Sequence, residues 1–230
     1  MSTILYRSAR PVTLIGGGPV AAPDLAAALA LAPDVVAADG GADTPLPPGH
    51  ALQAVMGDLD SLSDPEALRA RGVPVHHIPE QITTDLDKCL RAIAAPLVIG
   101  LGFLGGRLDH QLAALNAAIT WPDPPLLLLG GTDLCFRVPE DFAIDLPEGT
   151  RLSLFPLRAA RGTRSQGLRW PVEGLVLAPG GRIGMSNQTT GGRVRIGFVP
   201  AHVLAILPAT FLAEAAAAIA SPGLSPPGGS

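Results

Sequence analysis

Apolar and polar segments alternate regularly through the first half of the chain. Short apolar runs end in glycine, as in VTLIGGG (12–18), DVVAADGG (34–41) and PPLLLLGG, and this pattern is typical of buried strands. Between them lie longer segments with helical spacing, such as APDLAAALALA (22–32) and LDHQLAALNAAIT (108–120). Strands that alternate with helices over short connections predict a mostly parallel sheet with helices on both faces.

Two further helices carry terminal signals. DPEALRARG (64–72) has Pro65 at its start and Gly72 past its end, and TTDLDKCLRAIAA (83–95) begins with a capping residue, Thr84 or Asp85. The remaining strands of this half are predicted within ALQAVMGDLDS, VPVHHIP and PLVIGLGFLGG.

The pattern changes near Gly130. Beyond about residue 132 the apolar segments become short and often alternate with polar residues, in DFAIDLP, TRLSLFPLR, GLRWPVEG, LVLAPGG and GRVRIGFV. Glycine and proline separate them, which predicts an antiparallel β domain. We therefore expect a mostly parallel α/β domain at 1–130, an antiparallel β domain, either a small sandwich or a barrel, at 131–220, and a disordered tail at 221–230. TFLAEAAAAIA (210–220) is predicted as a short helix of undefined role.

Composition narrows the class of protein. The chain of 230 residues is 47% hydrophobic and only 4% aromatic, so a sizeable core must consist mainly of Ala, Val, Leu and Ile. A formal net charge of −4 argues against a nucleic-acid binder. Cys89 and Cys135 lack the spacing of a metal site or a disulfide framework. Neither a signal peptide nor an apolar run of roughly 18 residues is recognisable, so we expect a cytoplasmic protein without a membrane partner.

Acidic residues gather where the predicted strands end. In AVMGDLDSL (54–62) an apolar run stops at Gly57 and two acids follow. The acids at or just beyond strand ends are Asp39, Asp58, Asp60, Asp85 and Asp109. Because parallel strands end at one edge of a sheet, these carboxylates should crowd there and repel one another unless a cation lies between them. Hard oxygen ligands suit Mg²⁺, which is usually held by a few carboxylates and substrate phosphates.

Basic residues and glycines complete this pattern. Lys88, the only lysine, and Arg107 can neutralise phosphate oxygens, and the glycines after the strands let backbone N–H groups approach the same phosphates. The sequence therefore predicts a site for a magnesium nucleotide.

Two other interpretations remain open from the residues alone. In the first, the glycines and aspartates at the strand ends serve only as turn and N-cap residues, which are ordinary roles for these residue types. Gly16, Gly18 and Ala21 also match the dinucleotide pattern G-x-G-x-x-A, with Asp39 as a ribose-binding acid, but Pro19 removes an N–H where phosphate would bind. Gly100, Gly102 and Gly105 give a second match, and such matches are weak in a chain with 27 glycines.

Six short motifs, in their order and spacing, resemble the thiamine pyrophosphokinase family. They are ADGGA (38–42), GDLDS (57–61), Q-x-T-T-D-x-x-K (81–88), GGRLDH (105–110), GLRWP (167–171) and SN (186–187). The resemblance extends over roughly residues 12–207. It implies a homodimer whose subunits combine an α/β nucleotide domain with a β-sandwich domain. It also implies Mg²⁺-dependent transfer of a pyrophosphoryl group from ATP to the hydroxyl of thiamine, which gives thiamine diphosphate and AMP.

The resemblance assigns roles by motif position. The metal ligands would be Asp58, Asp60 and Asp85, which together with Asp109 form the catalytic set. The nucleotide and phosphate site would contain Gly17, Asp39, Gly40, Gln81, Thr84, Lys88 and Arg107. Thiamine would contact Trp170, Ser186 and Asn187, contributed by the second subunit to a shared active site. Asp85 and Asp109 are both candidates to accept the thiamine hydroxyl proton.

Structural roles compete with these assignments. Thr84 and Asp85 can cap a helix, and Trp170 can belong to the β-domain core. His110 is expected to be structural, and Asp87 is expected on the solvent side of its helix.

One departure from the family concerns Ile82, which stands where many members carry an acid. The competing functions are another Mg²⁺-dependent nucleotidyl or phosphoryl transferase, and a regulator that binds thiamine or a nucleotide without turnover.

Overall fold

The structure is a computed structural model and describes residues 3–220. The tail at 221–230, predicted to be disordered, lies outside these residues. The described chain divides into two units. The first comprises the residues up to Ala117 together with Trp121–Gly131, and the second comprises Ala118–Thr120 and Thr132–Ala220.

A parallel sheet forms the centre of the first unit. The strands of this unit, in chain order, are β1 (Tyr6–Arg7), β2 (Val12–Ile15), β3 (Asp34–Ala38), β4 (Leu52–Gly57), β5 (Val75–His77), β6 (Ile93–Ala94), β7 (Val98–Leu101) and β8 (Leu126–Gly130). The helices are α1 (Ala22–Leu31), α2 (Pro65–Ala70), α3 (Asp85–Ala92) and α4 (Leu108–Thr120). Strands pair in the order β8-β7-β2-β3-β4-β5, always in parallel, while β1 and β6 form a separate parallel pair.

The central strands of this sheet are buried along their whole length, as expected for strands covered on both faces. Strands and helices occur where the apolar pattern predicts them, with one difference in α3. That helix ends at Ala92 rather than near residue 95, because Ile93–Ala94 leaves the helix to pair with β1.

Antiparallel strands form the second unit. They are β9 (Asp133–Arg137), β10 (Phe142–Leu146), β11 (Arg151–Pro156), β12 (Ala160–Gln166), β13 (Val176–Leu177), β14 (Gly184–Gln188), β15 (Gly192–Val199) and β16 (Val203–Pro208). One group has the order β10-β15-β12-β13 and the other β14-β11-β16-β9. Buried rings join them, since Phe136 and Phe142 lie 5.2 Å apart between ring centroids. The predicted short helix is α5 (Leu212–Ile219), which packs on β10.

The segment GLRWPVEG (167–174) differs from prediction. It is a loop rather than a strand, in which Leu168 makes one isolated bridge to Thr189. Pro171 lacks the N–H that a strand ladder requires. In contrast, β12 is a strand with few buried apolar side chains, so its sequence ARGTRSQ gave no clear signal.

The predicted fold class, a mostly parallel α/β unit followed by an antiparallel β-sandwich, is confirmed. Among the described residues, no helix is long and apolar enough to cross a bilayer.

Candidate active site

Glycines allow the strand ends of the first unit to pack closely. Gly18 donates a backbone hydrogen bond to the carbonyl oxygen of Gly102 at 3.0 Å, and a Cβ on Gly18 would collide with that oxygen. Gly102 has φ +75°, and a Cβ there would lie 2.5 Å from the carbonyl oxygen of Gly16. The loops that follow β2 and β7 therefore require glycine, and they leave the carboxyl edge of the sheet open.

Three carboxylates meet at this edge. Oxygen atoms of Asp39, Asp58 and Asp60 all lie within 4.8 Å of one another. Asp39 directly follows β3, has φ +44° and is buried. Its Oδ2 accepts a hydrogen bond from the Ser61 N–H at 3.1 Å, whereas Oδ1 is buried and has no hydrogen-bond partner among the described residues. A buried, unpaired carboxylate oxygen is costly unless a proton or a cation occupies the space beside it.

The pKa of Asp39 responds to these surroundings. Burial raises the pKa of Asp39 above its ordinary value, and the nearby Asp85 carboxylate raises it further, against the lowering effect of the Ser61 N–H. Gly57 permits this crowding, because a Cβ there would lie 2.9 Å from Asp39 Cβ and 3.1 Å from Asp85 Oδ1.

Lys88 forms ion pairs with two acids of the site. Its side chain is only 1% exposed, and Nζ lies 2.9 Å from Asp58 Oδ2 and 2.9 Å from Asp85 Oδ1. Burial lowers the pKa of Lys88, but the hydrogen bonds to the two carboxylates outweigh it and raise the pKa overall. Lys88 in turn holds the pKa of Asp58 below its usual range, and Gln81 Nε2 donates to the same Asp58 Oδ2 at 3.0 Å.

Two adjoining cavities open beside the acids. The larger, about 400 Å³, is lined by Gly17 and Asp39, and the smaller, about 210 Å³, by Asp58 and Lys88. The residues that line both are Asp85, Gly102, Phe103 and His110. Most of the residues predicted for the metal and phosphate site therefore surround one continuous region.

Arg107 and Asp109 form an exposed pair at the start of α4. Arg107 Nη2 lies 2.6 Å from Asp109 Oδ2, and Nε donates to Oδ1 at 3.1 Å. The Arg107 hydrogen bonds hold the pKa of Asp109 at about 2. Arg107 lines the larger cavity, but Asp109 is not among the residues within 3–220 that line either one.

Thr84 combines a structural role with its place in the site. Its hydroxyl accepts the Asp87 N–H at 3.2 Å, and Asp87 Oδ2 accepts the Thr84 N–H at 3.0 Å, which makes a capping box at the start of α3. Thr84 also lines the smaller cavity. Asp87 does not simply face solvent as predicted, since it is partly buried and its Oδ1 accepts the Trp121 Nε1–H at 2.6 Å.

The predicted thiamine contacts lie in the second unit. Trp170 is 51% exposed, so it is not a core residue, and the Arg169 guanidinium lies 4.9 Å from the centroid of its ring. Asn187 is buried and donates to the Trp170 carbonyl oxygen at 2.7 Å, while its Oδ1 accepts the Trp170 N–H at 3.2 Å. Ser186 is exposed, has φ +55°, and donates its N–H to Ser153 Oγ at 2.9 Å.

The sequence did not single out Ser61 or Phe103, and it gave His110, which lines both cavities, only a structural role. Ser61 and His110 stand inside the GDLDS and GGRLDH motifs, so their position was the available signal. Phe103 stands among the glycines after β7, where a Cβ on Gly16 would lie 2.6 Å from its ring. Its packing depends on that tertiary contact and has no sequence signature.

A parallel sheet with clustered acids, a buried lysine and glycine-rich loops at its carboxyl edge is the architecture of a protein that binds phosphate groups together with a cation. Sequence profiles narrow this class. "Thiamin pyrophosphokinase, catalytic domain" matches residues 26–125, and "Thiamin pyrophosphokinase, vitamin B1 binding domain" matches residues 136–199. Together the two matches cover well over half of the chain, which belongs to the thiamine pyrophosphokinase family.

Individual relatives agree with this assignment. Thiamine pyrophosphokinase 3 of Oryza sativa subsp. japonica is 31% identical over 154 residues, which are 58% of this chain and 57% of the relative. The chain thus aligns with less than two thirds of that protein. The crystal structure of yeast thiamin pyrophosphokinase has a TM-score of 0.72 at 18% identity and covers 93% of this chain and 94% of its own. Thiamin pyrophosphokinase from Candida albicans has a TM-score of 0.71 at 16% identity, covering 86% and 89%, so both structures share the fold.

Proposed function

We propose that the protein is a Mg²⁺-dependent thiamine diphosphokinase, which transfers the pyrophosphoryl group of ATP to thiamine. The observation that carries this proposal is the cluster of Asp39, Asp58 and Asp60 beside buried Lys88, in a chain of the thiamine pyrophosphokinase family. The relatives that the chain resembles are named thiamine pyrophosphokinase, which is another name for this activity.

The acids suit a divalent cation. Their oxygens are close enough to share one ion, and the unpaired Asp39 Oδ1 supplies a lone pair that protein groups do not use within the described residues. Asp39, Asp58 and Asp60 would hold Mg²⁺ directly, which replaces the set Asp58, Asp60 and Asp85 expected from the sequence. Asp39 belongs to the cluster of oxygens, whereas Asp85 stands beside it and pairs with Lys88 at 2.9 Å. When bound, Mg²⁺ neutralises charge on the polyphosphate and on the departing AMP.

The other residues would orient the nucleotide. Arg107 lines the larger cavity and offers its planar fork to phosphate oxygens, and backbone N–H groups at Gly17 and Gly40 can approach the same groups. Gln81 fixes Asp58, and Thr84 fixes the start of α3. The work of these groups is positioning and charge neutralisation, as in phosphoryl transfer generally.

In the proposed reaction, the thiamine hydroxyl oxygen forms a bond to the β-phosphorus of ATP. The bond between that phosphorus and the bridging oxygen of the α-phosphate breaks, and AMP leaves with the electron pair. Asp85 is the better candidate to accept the hydroxyl proton, because it lines both cavities. Both oxygens of Asp109 already accept hydrogen bonds from Arg107, so Asp109 would orient that side chain.

Thiamine recognition is assigned to the second unit. The exposed ring of Trp170 offers a flat face for the thiamine pyrimidine, Asn187 holds the Trp170 backbone, and Ser186 is exposed beside it. We further propose a homodimer in which the acids of one subunit and Trp170 of the other form each active site.

Product analysis tests the proposal. Purified protein is incubated with ATP, Mg²⁺ and thiamine, and the products are separated by anion-exchange chromatography. Equal amounts of thiamine diphosphate and AMP are expected. ADP with thiamine monophosphate would instead identify a phosphotransferase, and binding of both ligands without product would identify a regulator.

A further inference from the structure

The segment 80–84 carries side chains of the site but has no regular structure of its own. It joins β5 to α3, and Ile82 within it is 94% exposed. Yet Gln81 reaches Asp58 and Thr84 caps α3, so the segment must be held in one conformation for these contacts to persist. Ordering such a loop costs conformational entropy, which requires compensating contacts.

Glu80 supplies contacts within the segment. Its Oε2 accepts the N–H of Ile82 at 3.0 Å and the N–H of Thr83 at 3.2 Å, and its Oε1 accepts the Thr83 hydroxyl. The Thr83, Ile82 and Arg91 hydrogen bonds hold the pKa of Glu80 at about 2, so the carboxylate is ionised at neutral pH.

Arg91 connects the segment to the neighbouring helices. Its Nη2 lies 2.6 Å from Glu80 Oε1 and donates to Thr83 Oγ1 at 3.0 Å. The Arg91 guanidinium also lies 5.5 Å from the ring centroid of Trp121, the residue that follows α4. Because Trp121 donates to Asp87, the loop, α3 and Trp121 belong to one network.

Neither Glu80 nor Arg91 is among the described residues that line the two cavities. Any effect on the site must therefore pass through Gln81, Thr83 and Thr84. We propose that Glu80 and Arg91 are positioning residues, which fix the 80–84 segment so that Gln81 and Asp85 stand correctly beside Asp58 and Lys88. The kinetic part of this inference rests on the proposed function, whereas the positioning itself does not.

The test compares wild type with Glu80→Gln, which keeps the size of the side chain but removes the charge and one acceptor oxygen. Hydrogen–deuterium exchange is followed in peptides that contain 80–85. Binding of MgATP is measured with an analogue whose α–β bridge cannot be cleaved, and kcat and KM are measured for the thiamine reaction. Glu66→Gln is the matched control, because Glu66 pairs with Arg69 on α2 and is exposed.

For Glu80→Gln we expect faster exchange confined to 80–85, and roughly tenfold losses in analogue affinity and in kcat, the scale typical of lost supporting contacts. The KM for thiamine should stay unchanged. A smaller folded fraction would lower kcat in the same way, but it would change neither the dissociation constant of the analogue nor exchange in 80–85 alone, so these two measurements distinguish positioning from a loss of folded protein. Arg91→Lys, which keeps the charge, should retain more activity than Arg91→Met. Glu66→Gln should resemble wild type in every measurement.

Unchanged exchange in 80–85 would overturn the inference, and so would faster exchange with unchanged analogue affinity and kcat. A uniform rise of exchange across the whole protein would reduce Glu80 to a general stability contact and would also overturn it. If wild type forms no thiamine diphosphate but Glu80→Gln still loosens the segment and weakens the analogue, the proposed function fails and the positioning role stands.

Discussion

Asp58 takes part in two sets of interactions in the site, and a single substitution there tests its role without disrupting the fold. It belongs to the acid cluster, and it accepts hydrogen bonds from Lys88 and Gln81. Asp58→Asn keeps the shape of the side chain but removes the charge of a proposed Mg²⁺ ligand, so we expect turnover to fall by roughly 10²-fold or more. Lys88 keeps Asp85 as a partner, and the protein should remain folded by circular dichroism.

The assay for Asp58→Asn uses saturating Mg²⁺, with Glu66→Gln as the surface control. Near-normal turnover of Asp58→Asn under these conditions would exclude the metal role of Asp58.

The protonation state of Asp39 affects the stability of the folded protein. Its pKa is raised above the ordinary value of 3.8, so the folded state binds the proton more tightly than the unfolded state. That stabilisation is present at pH below 3.8 and is lost as the pH rises through the folded-state pKa. In metal-free buffer at pH 8, Asp39→Asn should therefore be more stable than wild type, because the amide still accepts the Ser61 N–H without a buried charge.

Addition of Mg²⁺ should reverse the order of stability, so that wild type becomes more stable than Asp39→Asn. A cation that binds only the folded state raises the melting temperature, and it does so more the more tightly it binds, so the gain should be large for wild type and small for Asp39→Asn. Thermal unfolding in EDTA and in Mg²⁺ measures both effects. An equal Mg²⁺ response in the two proteins would place the ion elsewhere.

The sequence alone predicted most residues of the acidic site but not the contacts that join them. Asp39, Asp58, Asp60 and Lys88 could be found because acids and a single lysine follow apolar runs. The bridge from Lys88 to two carboxylates depends on how α3 faces β4, and such a contact between distant residues has no local signal.

The helix α3 contains Asp85 and Lys88, and the capping box at its start can be tested by substitution. Thr84→Ala removes the cap and one half of the capping box, so we expect a loss of about 1 kcal/mol in the free energy of unfolding. Thr84→Ser keeps the hydroxyl and should lose much less. Urea unfolding of the three proteins measures the difference, and equal stability of the alanine and serine variants would show that the cap contributes nothing.

Elements with strong apolar periodicity were predictable, and those defined by pairing were not. The buried strands and α4 occur where the pattern indicates them, since burial on both faces demands apolar runs. The end of α3 was placed too late, because Ile93–Ala94 is apolar in either conformation and pairing with β1 decides between them. The polar β12 is fixed by its neighbours in the sheet.

For the whole molecule, the two units carry different parts of the proposed chemistry. The acids lie in the first unit and Trp170 lies in the second. If the active protein is a dimer with shared sites, Asp58→Asn and Trp170→Ala should each be nearly inactive but should complement each other. Random reassociation gives one intact site in each heterodimer, so about a quarter of wild-type activity should return.

The mixing experiment uses the two variants unfolded and refolded together, with heterodimers counted by native mass spectrometry. Each variant refolded alone is the control. Heterodimers without recovered activity would mean that each site is built from one chain or that Trp170 does not serve the reaction.

We propose that this chain transfers a pyrophosphoryl group, rather than a single phosphoryl group, from ATP to thiamine. The most direct measurement is a time course with ATP labelled in the γ-phosphate, in the presence of Mg²⁺ and thiamine. We expect the label to appear in thiamine diphosphate at the same rate as unlabelled AMP forms, and we expect Asp58→Asn nearly to abolish both. Label in thiamine monophosphate with release of ADP, or no transfer of label by wild type, would contradict it.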